Sequence, residues 1–160
     1  MTDLDSPELI AELEDHERRL VFRRFDNDDA WRLGSAMVAA ARERGLPLVI
    51  DIHRGGQQLF FAALPGSTPD NAEWVRRKVN VVNRFAVSSF LFGRRLAAQG
   101  RQLSEALGVA PIDYAPHGGA FPVRIADVGI VGTVTVSGLP QADDHAFVVE
   151  QIELHLTGTG

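Results

Sequence analysis

Leu9, Ile10, Leu13 and Leu20 form a narrow apolar stripe at helical spacing, behind Ser6 as a hydroxyl cap and Pro7 at the first helical position. They predict a helix over 7–19. Ala30, Leu33, Met37 and Ala41, widened by Trp31 and Val38, predict a second over 28–44, with acidic residues at its start and Gly45 as its stop. A third pattern over 70–99 is apolar on more than one stripe, through Trp74, Val75, Val79, Val82, Phe85, Phe90 and Leu96. Asp70 and Glu73 stand at capping-box spacing at its head. Phe147, Val148, Ile152 and Leu156 predict a last helix over 141–156.

Between the helices lie short β-branched and aromatic runs. The runs 48–53 and 58–62 flank Arg54-Gly55-Gly56, and the runs 121–126 and 130–136 flank Asp127-Val128-Gly129. Glycines at these turns supply the positive φ that tight hairpins need. Residues 20–25 read as a fifth strand. The order α-β-α-ββ-α-ββ-α predicts an α+β layered domain with a five-stranded, mainly antiparallel sheet. The third helix is expected to be buried on two sides.

The length of 160 residues fits one domain, 1–160, with residues 1–5 and 157–160 expected to fray. The absence of cysteine excludes disulfides, thiolate metal sites and thiol nucleophiles. A net charge of −5 argues against a nucleic-acid partner. No apolar run approaches a membrane span, and the acidic start lacks the form of a signal peptide, so the expected location is the cytoplasm.

The charge is unevenly divided. Residues 70–101 hold seven basic and two acidic side chains, +5, which leaves −10 for the rest. Arg76, Arg77, Lys78, Asn80, Asn83 and Arg84 make this segment a candidate face for an anionic ligand or an acidic second subunit. The plainer reading is a solvated face with ion pairs. Lys78 is the one lysine among 16 basic residues, which points to a site needing a compact ammonium.

Two loops are candidates for chemistry. In 114–122, His117 precedes Gly118 and Gly119, so backbone N–H groups can approach a ligand and the imidazole can serve as a metal ligand, a haem ligand or an acid–base group. The plainer reading is a turn that needs positive φ. The loop 136–141 enters the last helix through Ser137 and Gly138, but Asp143 and Asp144 in the first turn would complement the helix dipole and repel an anion. That loop therefore reads as structural. His16, His53, His117, His145 and His155 show no metal-ligand spacing, and His53 at a strand end reads as exposed or structural.

The run from His117 to Pro122, followed by 129–138 with its closing Val136-Ser137-Gly138, resembles the GlcG/HbpS-like haem-degrading domain family, which includes the C-terminal domain of the PduO adenosyltransferases. Asp51-Ile52, the run 59–66, Asp70-Asn71 with Trp74, Arg77-Lys78 with Asn80, and Ser88-Ser89 resemble a branch of that family found in bacteria and fungi. The resemblance implies a profilin-like, three-layer α/β/α fold with a five-stranded sheet, homo-oligomers built through helices and loops, and haem binding. His117 is a chemically sensible axial ligand. The expected ligand site is His117, Gly118, Gly119, Arg77, Lys78 and Asn80, with no metal-ion site. Three functions stay open: a small-ligand or haem-binding oligomer, a non-catalytic scaffold, and an enzyme on a small anionic substrate that uses Lys78 or His117.

Overall fold

In the computed structural model, residues 4, 6–103 and 108–158 are described. Residues 1–3, 5, 159 and 160, part of the ends expected to fray, lie outside them. The elements are α1 (Pro7–Arg19), α2 (Asn27–Glu43), β1 (Val49–Arg54), β2 (Gln57–Ala63), α3 (Pro69–Phe85), α4 (Ser89–Ala98), β3 (Ala120–Ile125), β4 (Gly129–Ser137) and α5 (Gln141–Leu156). Ser6 caps α1 by accepting from the Leu9 N–H at 3.1 Å. Asp26 and Asp29 close a reciprocal capping box at the head of α2.

The fold is α+β with an antiparallel sheet, but the sheet has four strands, in the order β2-β1-β4-β3. The fifth expected strand, 20–25, is reduced to one bridge between Phe22 and Ile125. The Phe22 N–H donates to the Arg124 carbonyl at 2.7 Å, and the Ala126 N–H donates back to the Phe22 carbonyl at 3.1 Å. The reason is position. The bridge is parallel, so upstream pairing is cut off where the chain has just left α1 at Leu20, and downstream pairing is cut off because β3 ends at Ile125. Its apolar residues go to the core instead: Leu20, Phe22 and Phe25 are all buried.

The long third helix is two helices. Ala86 ends α3 in the left-handed region at φ 63°, and the Ser88 side chain caps α4 by accepting from the Leu91 N–H. The Ser88 N–H in turn donates to Glu17 of α1 at 3.2 Å. No Gly or Pro marks this break, so helical periodicity alone runs straight through it. The head of α3 also differs from expectation. Its cap is Thr68, whose N–H is taken by Asn71 Oδ1 at 2.8 Å, rather than Asp70.

Helices α2 and α5 cover one face of the sheet, and α3 and α4 the other. Ile50, Ile52, Val134, Val136, Phe121 and Val123 point to the first face and join Leu33, Met37, Val148 and Ile152 in the main apolar core. Alternation sends Asp51, His53, Thr133, Thr135 and Ser137 to the face under α3.

Candidate functional site

The site is built where α3 crosses the C-terminal end of β4. Lys78 is 3% exposed. Its Nζ donates to Asp144 Oδ2 at 3.1 Å and to the Val136 carbonyl at 3.2 Å. The other oxygen of Asp144 accepts the Leu139 N–H at 3.0 Å, which ties the β4–α5 loop to the same carboxylate. Burial pushes the Lys78 pKa down and the Asp144 pKa up, and each opposes the shift in the other by its charge.

The close approach of Lys78 explains a glycine. Gly119 has φ 140°, and a Cβ there would stand 2.7 Å from Lys78 Nζ and 2.4 Å from the Val136 carbonyl oxygen. Any side chain would displace the ammonium. Gly118 is packed as tightly against α5, and its N–H donates to Gln141 Oε1 at 3.2 Å.

His117 lies edge-on to Trp74, with ring centroids 5.6 Å apart. Burial lowers its pKa, and the neighbouring Lys78 charge lowers it further, against a raising hydrogen bond with Gln141. The guanidinium of Arg77 covers the Trp74 ring at 4.6 Å, and one of its terminal nitrogens donates to the Pro111 carbonyl at 2.9 Å. Its Nε is buried without a hydrogen-bond partner. Lys78, Asp144, His117 and Trp74 thus surround a cavity of about 420 Å³, closed by Asn71, Ser137, Gly138, Leu139 and Gln141. That volume is of small-ligand size.

The structure brings Lys78 and His117 into one cavity, with Gly118 and Gly119 shaping its backbone and Arg77 behind its Trp74 wall. Asn80 is elsewhere. It sits on another side of α3, donates to the Asp113 carbonyl at 2.8 Å and lines a second cavity. Sequence reasoning missed Asn71, Trp74, Gln141 and Asp144, and discounted the 136–141 loop. Asp144 does not repel a ligand as a lone acid of the first turn; it is the counter-ion of Lys78. The one available signal was the solitary lysine, since a buried ammonium needs a carboxylate. The basic face of α3 is largely compensated, with Arg76 held by Glu73 and by Asp113. Among the described residues no group of three or more His, Asp or Glu side chains could hold a metal ion, and no helix is long and apolar enough to cross a membrane.

Residues 25–153 match the family described as haem degrading protein HbpS-like. A UPF0303 protein of Streptomyces coelicolor is 60% identical over 144 residues, covering 90% of this chain and 91% of its own. The crystal structure of the Ybr137w protein superposes with a TM-score of 0.86 at 32% identity, covering 94% of this chain and 88% of that one. The crystal structure of a PduOC:haem complex shares the fold, with a TM-score of 0.65 at 18% identity over 81% of this chain and 93% of that one.

Proposed function

The chain belongs to the HbpS-like family, and from that premise we propose that it binds a small anionic ligand, with haem the first case to test, in the cavity between α3 and the β4–α5 loop. The observation that carries this reading is His117. Burial and the Lys78 charge hold its pKa below the usual histidine value, so at neutral pH its imidazole keeps a lone pair at the cavity wall.

The residues fit haem at two points. A neutral imidazole is a haem-iron donor, and His117 supplies it. The second is Lys78, whose ammonium lines the same cavity and supplies positive charge beside it, while Arg77 stands behind the Trp74 wall. Bound haem would supply iron-centred redox chemistry. Lys78 and Asp144 would fix the loop that forms the floor, and Gly118 and Gly119 let the His117 loop pack closely against Gln141, Val136 and Lys78. The haem in the PduOC complex, a neighbour of the same fold, supports the same ligand class.

The proposed working unit is a homo-oligomer. Strand β2 supports this: it is an edge of the sheet, carries no charge, and exposes 46% of Phe61, while Trp31 of the helix packed on it is 65% exposed. A second reading, acid–base catalysis on a small anionic substrate, draws on Lys78 and His117 facing one cavity with both pKa values lowered.

Haemin titrated into the purified protein is expected to give a Soret shift that saturates at one per protomer and is lost in His117→Ala. No saturable shift, or one unchanged in that variant, removes haem from the site. Native mass spectrometry of the protein as purified reads subunit number and any retained small molecule together. A monomer overturns the assembly, and a bare oligomer that also fails the haemin titration favours the scaffold.

A further inference from the structure

A second constellation lies on the other side of α3, over the β1–β2 hairpin. Asp51 and His53 are two residues apart on β1, so their side chains share a face of the sheet. Asp51 is 1% exposed. One of its oxygens accepts from His53 Nδ1 at 2.7 Å, and the other accepts from Gln58 Nε2 at 2.7 Å. Asp51 therefore has a buried carboxylate whose two oxygens are met by one imidazole and one amide.

The geometry sets the tautomer. A carboxylate only accepts, so in the neutral ring the proton sits on Nδ1 and the lone pair on Nε2. The ring is half-buried and lines a cavity of about 340 Å³. Phe61, Val75 and Val79 give this cavity an apolar wall, and Arg76, Asn80 and Asn83 a polar rim. Across β4, Thr135 pairs with Asp51 and Thr133 with His53; both hydroxyls are buried without a hydrogen-bond partner. Packing alone does not account for this. The matching positions on the opposite face of the same strands are Ile and Val, and a buried polar set is costlier than an aliphatic one of similar size.

We propose that this cavity is a second ligand site, in which His53 accepts a proton from the acidic O–H of a small, partly apolar molecule and Asp51 positions the ring. The step balances within the pair. The ligand O–H bond breaks and its electron pair stays on oxygen; a proton–Nε2 bond forms; the resulting imidazolium is stabilised through Nδ1–H by Asp51, which takes no proton. The apolar wall takes the body of the ligand, and the asparagine amides take an acceptor at its far end. A phenol is the simplest member of this class. The site shares no lining residue with the Lys78–His117 cavity, so it stands whether or not haem binds there.

Two measurements on the full chain test this. Long-range ¹H–¹⁵N spectra of the histidine rings are expected to show the neutral form of His53 protonated at Nδ1 and bare at Nε2, with that preference lost in Asp51→Ala. A neutral ring with its proton on Nε2 overturns the assignment. 4-Nitrophenol is then titrated at a pH where most of it is un-ionised. It is expected to bind saturably and to gain the phenolate band on binding. His53→Gln should abolish the gain and weaken binding about tenfold, as loss of one hydrogen bond to a charged group does. Asp51→Asn should retain binding but lower the phenolate fraction, a split that a purely structural aspartate would not produce. Val79→Ala, which trims the apolar wall from α3, should weaken binding without changing that fraction. Absence of saturable binding overturns the ligand class, and a phenolate gain that survives His53→Gln overturns the base.

Discussion

On one face of β1 and β4, Ile50, Ile52, Val134 and Val136 are each 0% exposed; on the other, Asp51, Thr133, Thr135 and Ser137 are 1%, 1%, 0% and 4% exposed. Burial is equal and chemistry is not. The aliphatic face meets α2 and α5 and forms the main core. The polar face meets α3, and both cavities described above open beside that helix. A buried side chain that stabilises only by its area has no use for a hydroxyl or a carboxylate. The face under α3 is therefore where full burial comes without apolar packing, and both cavities lie beside it.

The sharpest way to break this comparison is to unpair its most buried charge. Lys78→Met leaves Asp144 buried without its counter-ion and is expected to cost about 3–5 kcal/mol. The double variant Lys78→Met/Asp144→Leu should recover most of that. Urea denaturation reads both, and a double variant no better than the single would show that the pair is not the source of the loss.

Acid probes the opposite side. His145 of α5 is 3% exposed, lies against Phe90, Phe121 and His16, and has its pKa pushed down to about 3 by burial and by the neighbouring His16. The unfolded chain takes up this proton near the ordinary histidine value and the folded chain does not. Stability is therefore flat above about pH 6.5 and falls as pH drops towards 3. His145 alone should remove about 3 kcal/mol by pH 4. His16, His117 and His155, also lowered by burial, act in the same direction. Glu17 and Asp144, raised by burial, act against it as pH falls through their folded values. His145→Phe should flatten the wild-type slope between pH 7 and 4 in denaturant melts; an unchanged slope would shift the acid sensitivity to another group.

The smallest effects compare the two faces directly. Val134→Thr puts an unpartnered hydroxyl into the aliphatic core and should cost about 1–3 kcal/mol. Thr135→Val, one residue along, removes a buried hydroxyl that already lacks a partner and should change stability by less than about 1 kcal/mol in either direction. Thermal melts of both variants read the difference, and equal costs would mean that the two faces are energetically alike.

Much of the scaffold was legible along the chain. Ser6-Pro7, the Gly55 and Gly129 hairpins and the last helix at 141–156 are local signals, and local hydrogen bonding honours them. The break at Ala86–Ser88 was not legible, because it is held by Glu17, 71 residues away in sequence. Strand 20–25 read correctly as apolar and wrongly as a ladder, because its partner is a single residue of β3. The site was half legible. His117-Gly118-Gly119 and the solitary Lys78 stand out by composition. Asp144 and Gln141 read as ordinary helix-start residues, because only the folded chain brings the head of α5 to the end of the sheet where Lys78 lies.

What the amino-acid sequence determined by itself is the set of elements, because helix stripes, strand alternation and turn glycines are rules about neighbours within a few residues. Tertiary structure alone decided which polar residues meet. Lys78 and Asp144 are 66 residues apart and become an ion pair only when α3 and the β4–α5 loop close over the same end of the sheet. Asp51 and His53 are two residues apart, yet they line a cavity only because α3 roofs them. Alternation put Asp51 and His53 on the face under α3, and only the packing of that helix closed a cavity over them and brought Lys78 to Asp144.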